Sequence, residues 1–485
     1  MRAMLIRGVL LLLISLGLAQ AAQQPRKTNL LFILTDNHGA WTLGCYGNKE
    51  IRTPNIDRLA AEGMLFTRAF CANSVCSPSR ATYLTGLMPS QHGVHSYLGA
   101  DKQSSPSGAD ACVIHEFPTL PKILSRAGYV CGLAGKWHLG GSLQPQEGFS
   151  YWFTKPSGHT TTFVGDDAIW QGKIYKETNY MTDVIAGHAV EFLEQNHDKP
   201  FFLYLAFNGP YGLGGVVTHP HPNQHAAFYS DKNMDSFPRA EVSPQLTGNR
   251  AAMNNIEAMR SYAAAVSGVD DGVGRVMEAL KRLNLDTNTL VVFAADQGMN
   301  GGHGGFWGIG DHSRPVSTRE PVVRVPLIFR QPGCVAAGVK SDLLVANYDF
   351  LPTVLGNLGL TDDALAKAPL PGKSFAPLLA GKSVPPRDAV FHEYENTRMI
   401  RTEQFKLTRR WPNGPDELYD LNHDPEERTN LIGNPKFEPE KSRLQKRLEE
   451  FFARYADPKY DLWRGGISKA RRVTKNVPDD SQRAR

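Results

Sequence analysis

The chain has 485 residues, 41% hydrophobic and 21% charged, with a formal net charge of +5. That balance is ordinary for a globular protein with a large core, so neither a disulfide framework nor a metal is needed merely to fold it. The charge is too mild to demand nucleic acid, and the basic stretch "KARRVTKN" near the end reads as a solvated terminus.

The first residues, "MRAMLIRGVLLLLISLGLAQA", place arginines before an apolar run from Val9 to Leu18, followed by Ala19-Gln20-Ala21. This layout predicts a signal peptide over 1–21, with export to the periplasm or the cell exterior. The run is short for a membrane span; an uncleaved anchor is the alternative. Cleavage removes Arg2 and Arg7, lowers the net charge by two and leaves no membrane attachment. Six cysteines (Cys45, Cys71, Cys76, Cys112, Cys131 and Cys334) form no CxxC or zinc-type cluster. In an exported chain they are expected to pair as disulfides.

"NLLFILT" (Asn29 to Thr35) is a short apolar run of the kind found in buried parallel strands, and it ends at Asp36. "TPNIDRLAAEGMLF" predicts a helix with Thr53 as N-cap, Pro54 in its first position and Gly63 as its stop. "SVCSPSRATYLTG" predicts another, with Pro78 in the first turn and Ser77 or a neighbour as cap. Further strands are expected at "YVCGLAG" (Tyr129 to Gly135), "FFLYLAF" (Phe201 to Phe207) and "LVVFAAD" (Leu290 to Asp296), with a long helix from about Ile256 to Leu283 before the last. Strands alternating with helices imply an α/β fold, a large and mostly parallel sheet sandwiched by helices, over residues 28–385. From about Ala389 the character changes to short strands, then an amphipathic helix from about Glu440 to Tyr455. This reads as a smaller C-terminal α+β subdomain over 386–465 and a tail over 466–485.

Each major strand hands over to polar groups at its carboxyl end: Asp36-Asn37, Lys136 with His138, Asn208, and Asp296-Gln297. In open α/β sheets the ligand crevice lies at that edge. Carboxylate and amide oxygens suit a hard cation such as Ca2+. Cys76 would stand at the positive end of its helix, a place that favours anions and activates nucleophiles. With Arg80, Lys136 and His138 sharing the crevice, these groups point to metal-assisted transfer of a sulfuryl or phosphoryl group.

"CSPSRATYLTG" resembles the sulfatase signature, in which the cysteine is converted after translation to Cα-formylglycine. "NLLFILTDNHGAWTLGCYG", "AGKWHLG", "AADQG" and "ELYDLNHDPEERTNL" resemble other sulfatase blocks in the same order. The resemblance implies an alkaline-phosphatase-like fold and formylglycine at position 76, installed by a formylglycine-generating maturation enzyme. Hydrated to a gem-diol, that group attacks sulfur with one hydroxyl and expels sulfate through the other. The resemblance also implies Ca2+, with Mg2+ as the alternative, held by Asp36, Asn37, Asp296 and Gln297 with residue 76 beside them. Arg80 and Lys136 would steady the aldehyde hydrate and the sulfate, and His138 would contact the gem-diol.

Two positions depart from the family pattern. After "FFLYLAF" relatives often carry Asn-x-Pro-His; here "NGPYGL" puts Tyr211 in place of the histidine. A lysine usual in the "FWGxG" stretch is Ile309. Tyrosine, with a pKa near ~10, is a poor proton shuttle at neutral pH. His303 in "GGHGGFWG" is therefore assigned as the leaving-group acid, ahead of His159, His219, His221 and His312. Tyr211 and His159 are assigned to substrate contact. A long loop-like stretch after Asn208 is expected to carry specificity, and Trp170, Tyr211, Phe228 and Tyr229 to stack on sugar rings. The expected activity is hydrolysis of sulfate esters of a sulfated carbohydrate or polysaccharide, with a small-molecule or oligosaccharide sulfate ester as substrate. The alternatives are a phosphodiesterase or phosphonate monoester hydrolase, and a silent glycan-binding protein in which Cys76 stays a thiol or pairs with Cys71.

Overall fold

The computed structural model describes residues 27–99 and 112–470; the predicted signal peptide and most of the tail lie outside the described residues. Sixteen strands fall within them. A ten-stranded sheet contains β1 (Asn29–Asp36), β2 (Met64–Phe66), β4 (Val130–Gly135), β5 (Tyr151–Thr154), β6 (Asp166–Trp170), β7 (Lys173–Glu177), β8 (Phe201–Pro210), β9 (Thr289–Ala295), β10 (Leu327–Arg330) and β11 (Val339–Ser341), in the order β11-β2-β10-β9-β1-β8-β4-β5-β6-β7. Its centre, β9-β1-β8-β4, is parallel throughout, while β10 and β6 run antiparallel to their inner neighbours. A small pair joins β3 (Ala69–Phe70) to β12 (Val345–Ala346).

Two-sided burial explains the unbroken apolar runs. Leu30, Phe32 and Leu34 enter one core and Leu31 and Ile33 the other, on opposite faces of β1. Tyr204 and Ala206 divide from Leu203 and Leu205 in the same way on β8. A period of two with both faces covered leaves no position for a polar residue until the strand ends. The Met181–Asn196 and Ile256–Arg282 helices cover one face.

The C-terminal sheet is an antiparallel meander of β13 (Ala389–Tyr394), β14 (Thr397–Thr402), β15 (Phe405–Arg410) and β16 (Glu417–Asp420). The Glu438–Tyr455 helix lays Leu444, Leu448 and Phe452, spaced i, i+4, i+8, onto it. These residues join the same core as Phe32 and Leu34.

Two local expectations are corrected. Thr53 does not cap the Pro54–Ala61 helix; its hydroxyl is engaged by Gly44 N at 2.9 Å and Asp57 Oδ1 at 3.1 Å. Asp270, reaching in from the Ile256–Arg282 helix, accepts instead from Asn55 N at 3.2 Å and Ile56 N at 2.8 Å. The expected disulfides are absent: all six cysteines are free.

Burial pushes the Asp270 carboxyl up to about 6, against the pull of the Asn55 and Ile56 amides. A raised folded value means stability is present below the unfolded pKa and lost as pH climbs from about 4 through about 6. Asp270→Asn removes that loss. Urea unfolding should show the variant gaining about 1–3 kcal/mol on the wild type between pH 4 and pH 7. A constant difference across that range would refute the assignment.

Candidate active site

Four adjacent strand ends and one helix N-terminus build the site. β1 ends in Asp36, followed by Asn37; β9 is followed by Asp296 and Gln297, β4 by Lys136 and His138, and β8 by Tyr211. Asn37, His138 and Tyr211 all have left-handed backbone, with φ of 55°, 59° and 61°. That conformation is strained for a bulky residue such as tyrosine. It is held by Tyr211 N donating to Asp36 O at 2.9 Å and Asn37 Nδ2 donating to Tyr211 O at 2.8 Å.

The Cys76–Thr85 helix is buried along its whole length, polar residues included. Each polar side chain is therefore matched. Ser77 Oγ accepts from Leu98 N at 3.1 Å, Thr82 Oγ1 meets His92 Nε2 at 3.2 Å, and Tyr83 donates to Ala295 O at 3.1 Å. Ser79 donates to Asp296 O. The helix starts at Cys76 itself, with Val75 at the N-cap and no side-chain cap, so Ser77 does not fill the role expected for it.

Arg80 forks onto Asp296 through Nε at 3.0 Å and Nη2 at 2.8 Å, and lies 3.7 Å from Asp36. Lys136 Nζ sits 2.5 Å from Asp36 Oδ2. Cys76 Sγ is 3.6 Å from Asp36 Oδ1 and 3.3 Å from Gln297 Nε2. Gln297 Nε2 also donates to Asn37 Oδ1. Burial and Asp36 raise the Asp296 carboxyl above its ordinary range, against Arg80 and Lys136. Burial pulls Lys136 down, but Asp36, Cys76 and Asp296 together outweigh it and hold the ammonium above its ordinary value. The Cys76 thiol is pushed up to about 12 by burial and Asp36. As a plain thiol it is a neutral S–H at pH 7, not the activated nucleophile that helix placement alone suggests.

Asp36, Cys76 and Asp296 offer ligand atoms within 4.8 Å of one another. Gln297 Oε1 is buried without a hydrogen-bond partner. Two carboxylates and two amide oxygens, one of them the orphaned Gln297 Oε1, form a donor set that fits a hard cation.

A cavity of about 400 Å³ opens above Cys76, lined among others by His159, Tyr211, Asn249, Ile309, Asp311 and His312. Tyr211 Oη meets His159 Nδ1 at 3.1 Å, and burial lowers His159 to about 4, so that ring is neutral. His303 is not in this cavity. It lines a separate one with Trp41, because Nδ1 donates to Asn300 O at 2.6 Å and the ring packs 5.0 Å from the Trp41 indole. His221 bonds Tyr180 at 2.9 Å away from the cavity, and His219 is exposed. Of the expected sugar-stacking aromatics only Tyr211 lines the Cys76 cavity; Tyr229 is fully buried, Trp170 packs on Tyr151 and Phe228 lies under Arg52. Asn249 and Asp311 escaped the sequence reading. Asn249 Nδ2 is a buried donor without a partner, and Asp311 Oδ1 lies 3.1 Å from His312 Nδ1. The adjacent acid and imidazole of "GDHS" were the only available signal.

A large, mostly parallel sheet with this charge cluster at its carboxyl edge defines a hydrolase with an alkaline-phosphatase-like fold. The family profile described as Sulfatase matches residues 28–360, and one described as N-sulphoglucosamine sulphohydrolase, C-terminal, matches 315–454. The chain belongs to the sulfatase family and is a sulfuric ester hydrolase. It is 28% identical to an N-acetylglucosamine-6-O-sulfatase of Bacteroides thetaiotaomicron over 93% of this chain and 91% of that one. It is 30% identical to human arylsulfatase A, covering 87% and 86% of the two chains. It also superposes, at a TM-score of 0.70 and 25% identity over 89% of this chain and 98% of the other, on a structure solved in complex with its substrate D-glucosamine-2-N,6-O-disulfate.

If the buried pairs hold the cluster, Lys136→Met and Asp36→Asn will not be additive. Each alone should cost about 3–5 kcal/mol in chelator. The double variant should recover about 1–3 kcal/mol of the sum. Additive losses in chemical unfolding would show that the 2.5 Å contact carries no coupling.

Proposed function

We propose that this chain is an exported sulfatase that removes sulfate from a sugar of a sulfated, glycosaminoglycan-type glycan in the Cys76 cavity. The observation that carries the reading is the burial, at the end of one cavity, of Asp36, Asp296, Arg80 and Lys136 around Cys76. The sugar class is supported by the relative named for N-acetylglucosamine 6-O-sulfate and by the fold neighbour solved with a glucosamine disulfate. Export rests on the leader-like first 21 residues.

Asp36, Asp296, Asn37 and Gln297 would hold Ca2+, with residue 76 beside them. The cation would supply positive charge toward the sulfate oxygens, and formylglycine at position 76, made by a maturation enzyme, would supply the attacking oxygen. Arg80 and Lys136 fix the two carboxylates; Arg80 spends Nη1 on Lys136 O at 3.1 Å and Tyr204 Oη at 3.5 Å, so the two cations would act on the sulfate through their positive charge beside residue 76. His138 is neutral, because burial and Lys136 lower it well below its ordinary value. Its Nε2 donates to Leu98 O at 3.1 Å, so Nδ1, buried without a partner, is open to take a proton.

A sugar alkoxide is a poor leaving group and needs a proton as the S–O bond breaks. With His303 elsewhere, that role passes to His312. Its Nδ1 accepts from Ile309 N at 3.4 Å and lies 3.1 Å from Asp311 Oδ1, which leaves Nε2–H for the departing oxygen. Burial would raise the Asp311 carboxyl, but His312 and Arg314 hold it below its ordinary range, so it stays the anionic partner.

A screen of defined sulfated oligosaccharides tests the whole reading. Wild-type protein should release sulfate and Cys76→Ala should not, and the wild-type Cys76 peptide should be lighter than its thiol form by about 18 Da, unlike ordinary thiol oxidation. Full activity in Cys76→Ala would end the mechanism. His312→Ala should lose on the order of 100-fold in kcat on a sugar sulfate and far less on an aryl sulfate, whose phenolate leaves unaided. Equal losses on both would remove His312 from leaving-group protonation.

A further inference from the structure

We infer that a second cavity, separate from the Cys76 site, binds an oxyanion-bearing sugar of a glycan chain. It has a volume of about 380 Å³, close to that of the catalytic cavity, and shares no lining residue with it. Its walls come from segments that follow β1 and β9, among them Trp41, His303, Arg319 and Arg324.

The charge balance identifies the ligand. Two glutamates reach this cavity and both are already engaged. Glu320 meets Arg401 and Lys406 at 3.4 Å each, and Glu426 pairs with Arg428. Arg319 and Arg324, by contrast, have no carboxylate in ion-pair contact among the described residues, although Arg324 is near enough to Glu320 to help hold its carboxyl low. Arg319 donates to the Glu426 main-chain oxygen at 3.1 Å and lies over the Phe306 ring. Arg324 Nε is buried with no hydrogen-bond partner at all. A half-buried guanidinium with an unmet donor is costly unless an anion completes it, and a planar fork suits sulfate and carboxylate oxygens. Gly304, at φ 62°, makes room, since a Cβ there would stand 2.9 Å from Arg319 Nη1.

The remaining wall suits a sugar rather than a bare ion. Trp41 spends its indole N–H on Met299 O at 2.8 Å, so it offers the cavity apolar ring surface. His303 donates through Nδ1 to Asn300 O and is held neutral by burial, which leaves Nε2 as an acceptor for a hydroxyl. A shallower trough of about 760 Å³ shares Trp41, Tyr46 and His303 and extends the wall with Lys49 and Lys232 beside Glu50 and Asp235, a mixed polar surface suited to sugar hydroxyls. A chain of anionic sugars has ring faces for Trp41, hydroxyls for the trough and an oxyanion for Arg319 and Arg324.

The inference rests on the reading of this protein as acting on sulfated glycans, but it is tested without turnover. In a Cys76→Ala background, with N-acetylgalactosamine 6-sulfate in excess at the catalytic cavity, calorimetry with a chondroitin sulfate hexasaccharide should report binding that weakens as salt rises. Arg319→Gln and Arg324→Gln should each weaken it about tenfold or more while the thermal midpoint stays near that of the parent. Unsulfated chondroitin hexasaccharide separates the sources of the oxyanion: retained binding assigns the cavity to the carboxylate, lost binding to the sulfate. Unchanged affinity in the variants, or equal binding of neutral cellohexaose, overturns the site. Should Arg324→Gln fail to fold, the more accessible Arg319→Gln decides alone. Absence of sulfate release by wild-type protein would sink the sulfatase reading and leave this binding result standing.

Discussion

Two carboxylates and two cations, all inside the protein, set the terms for the rest of the molecule. Asp36 and Asp296 come from neighbouring strands, and neither could remain ionised in a core without Arg80 and Lys136. The four formal charges cancel. That neutrality allows them to sit where water is excluded, and exclusion strengthens whatever field they present to a ligand. It also dictates the environment of Arg80. A helix carrying the arginine into the sheet edge must be buried throughout, and every hydroxyl on it must then find a partner, as Ser77, Ser79, Thr82 and Tyr83 do.

The backbone bends sharply to bring these groups together. Parallel strands deliver their ends to one edge, but side chains there still alternate between faces. Left-handed residues after β1, β4 and β8 break that alternation and redirect Asn37, His138 and Tyr211. Asparagine adopts this conformation at modest cost, whereas tyrosine does not. Tyr211 is held there by main-chain and side-chain contacts to Asp36, Asn37 and His159, so its strain is compensated by the groups it helps to place. The same network makes Tyr211 a fixed wall of the cavity.

What was legible in the sequence follows from how far each signal reaches. The strand runs from Asn29, Phe201 and Leu290 were visible because burial on two faces forbids polar residues, a constraint written into consecutive positions. The polar pairs at strand ends were visible for the complementary reason. Long-range partners left no such trace. Nothing local to Pro54 says that its helix will be capped by Asp270 from 215 residues away. Nothing in "GGHGGFWG" says that His303 turns toward Trp41 while His312 faces the cavity. The thiol at position 76 failed for a third reason: helix placement argued for activation, but burial beside Asp36 outweighs a partial charge at a helix end.

The departures from the family pattern have a physical logic of their own. Where the family resemblance implies a lysine and a histidine, this chain has Ile309 and Tyr211, and its charge is concentrated at the buried end. Neutral groups such as Leu213, Thr160 and Asn249 then make up much of the wall, with the Asp311–His312 pair as its ionisable element. A sulfate ester has the same polarity, anionic at one end and hydroxyl-rich at the other. The buried end suits the sulfate better, because the two cations stand only there, while the upper wall offers neutral donors such as Asn249 Nδ2 to hydroxyls. On the proposed reading, recognition of the ester and alignment of its S–O bond toward residue 76 would be one event, set by where the charge lies.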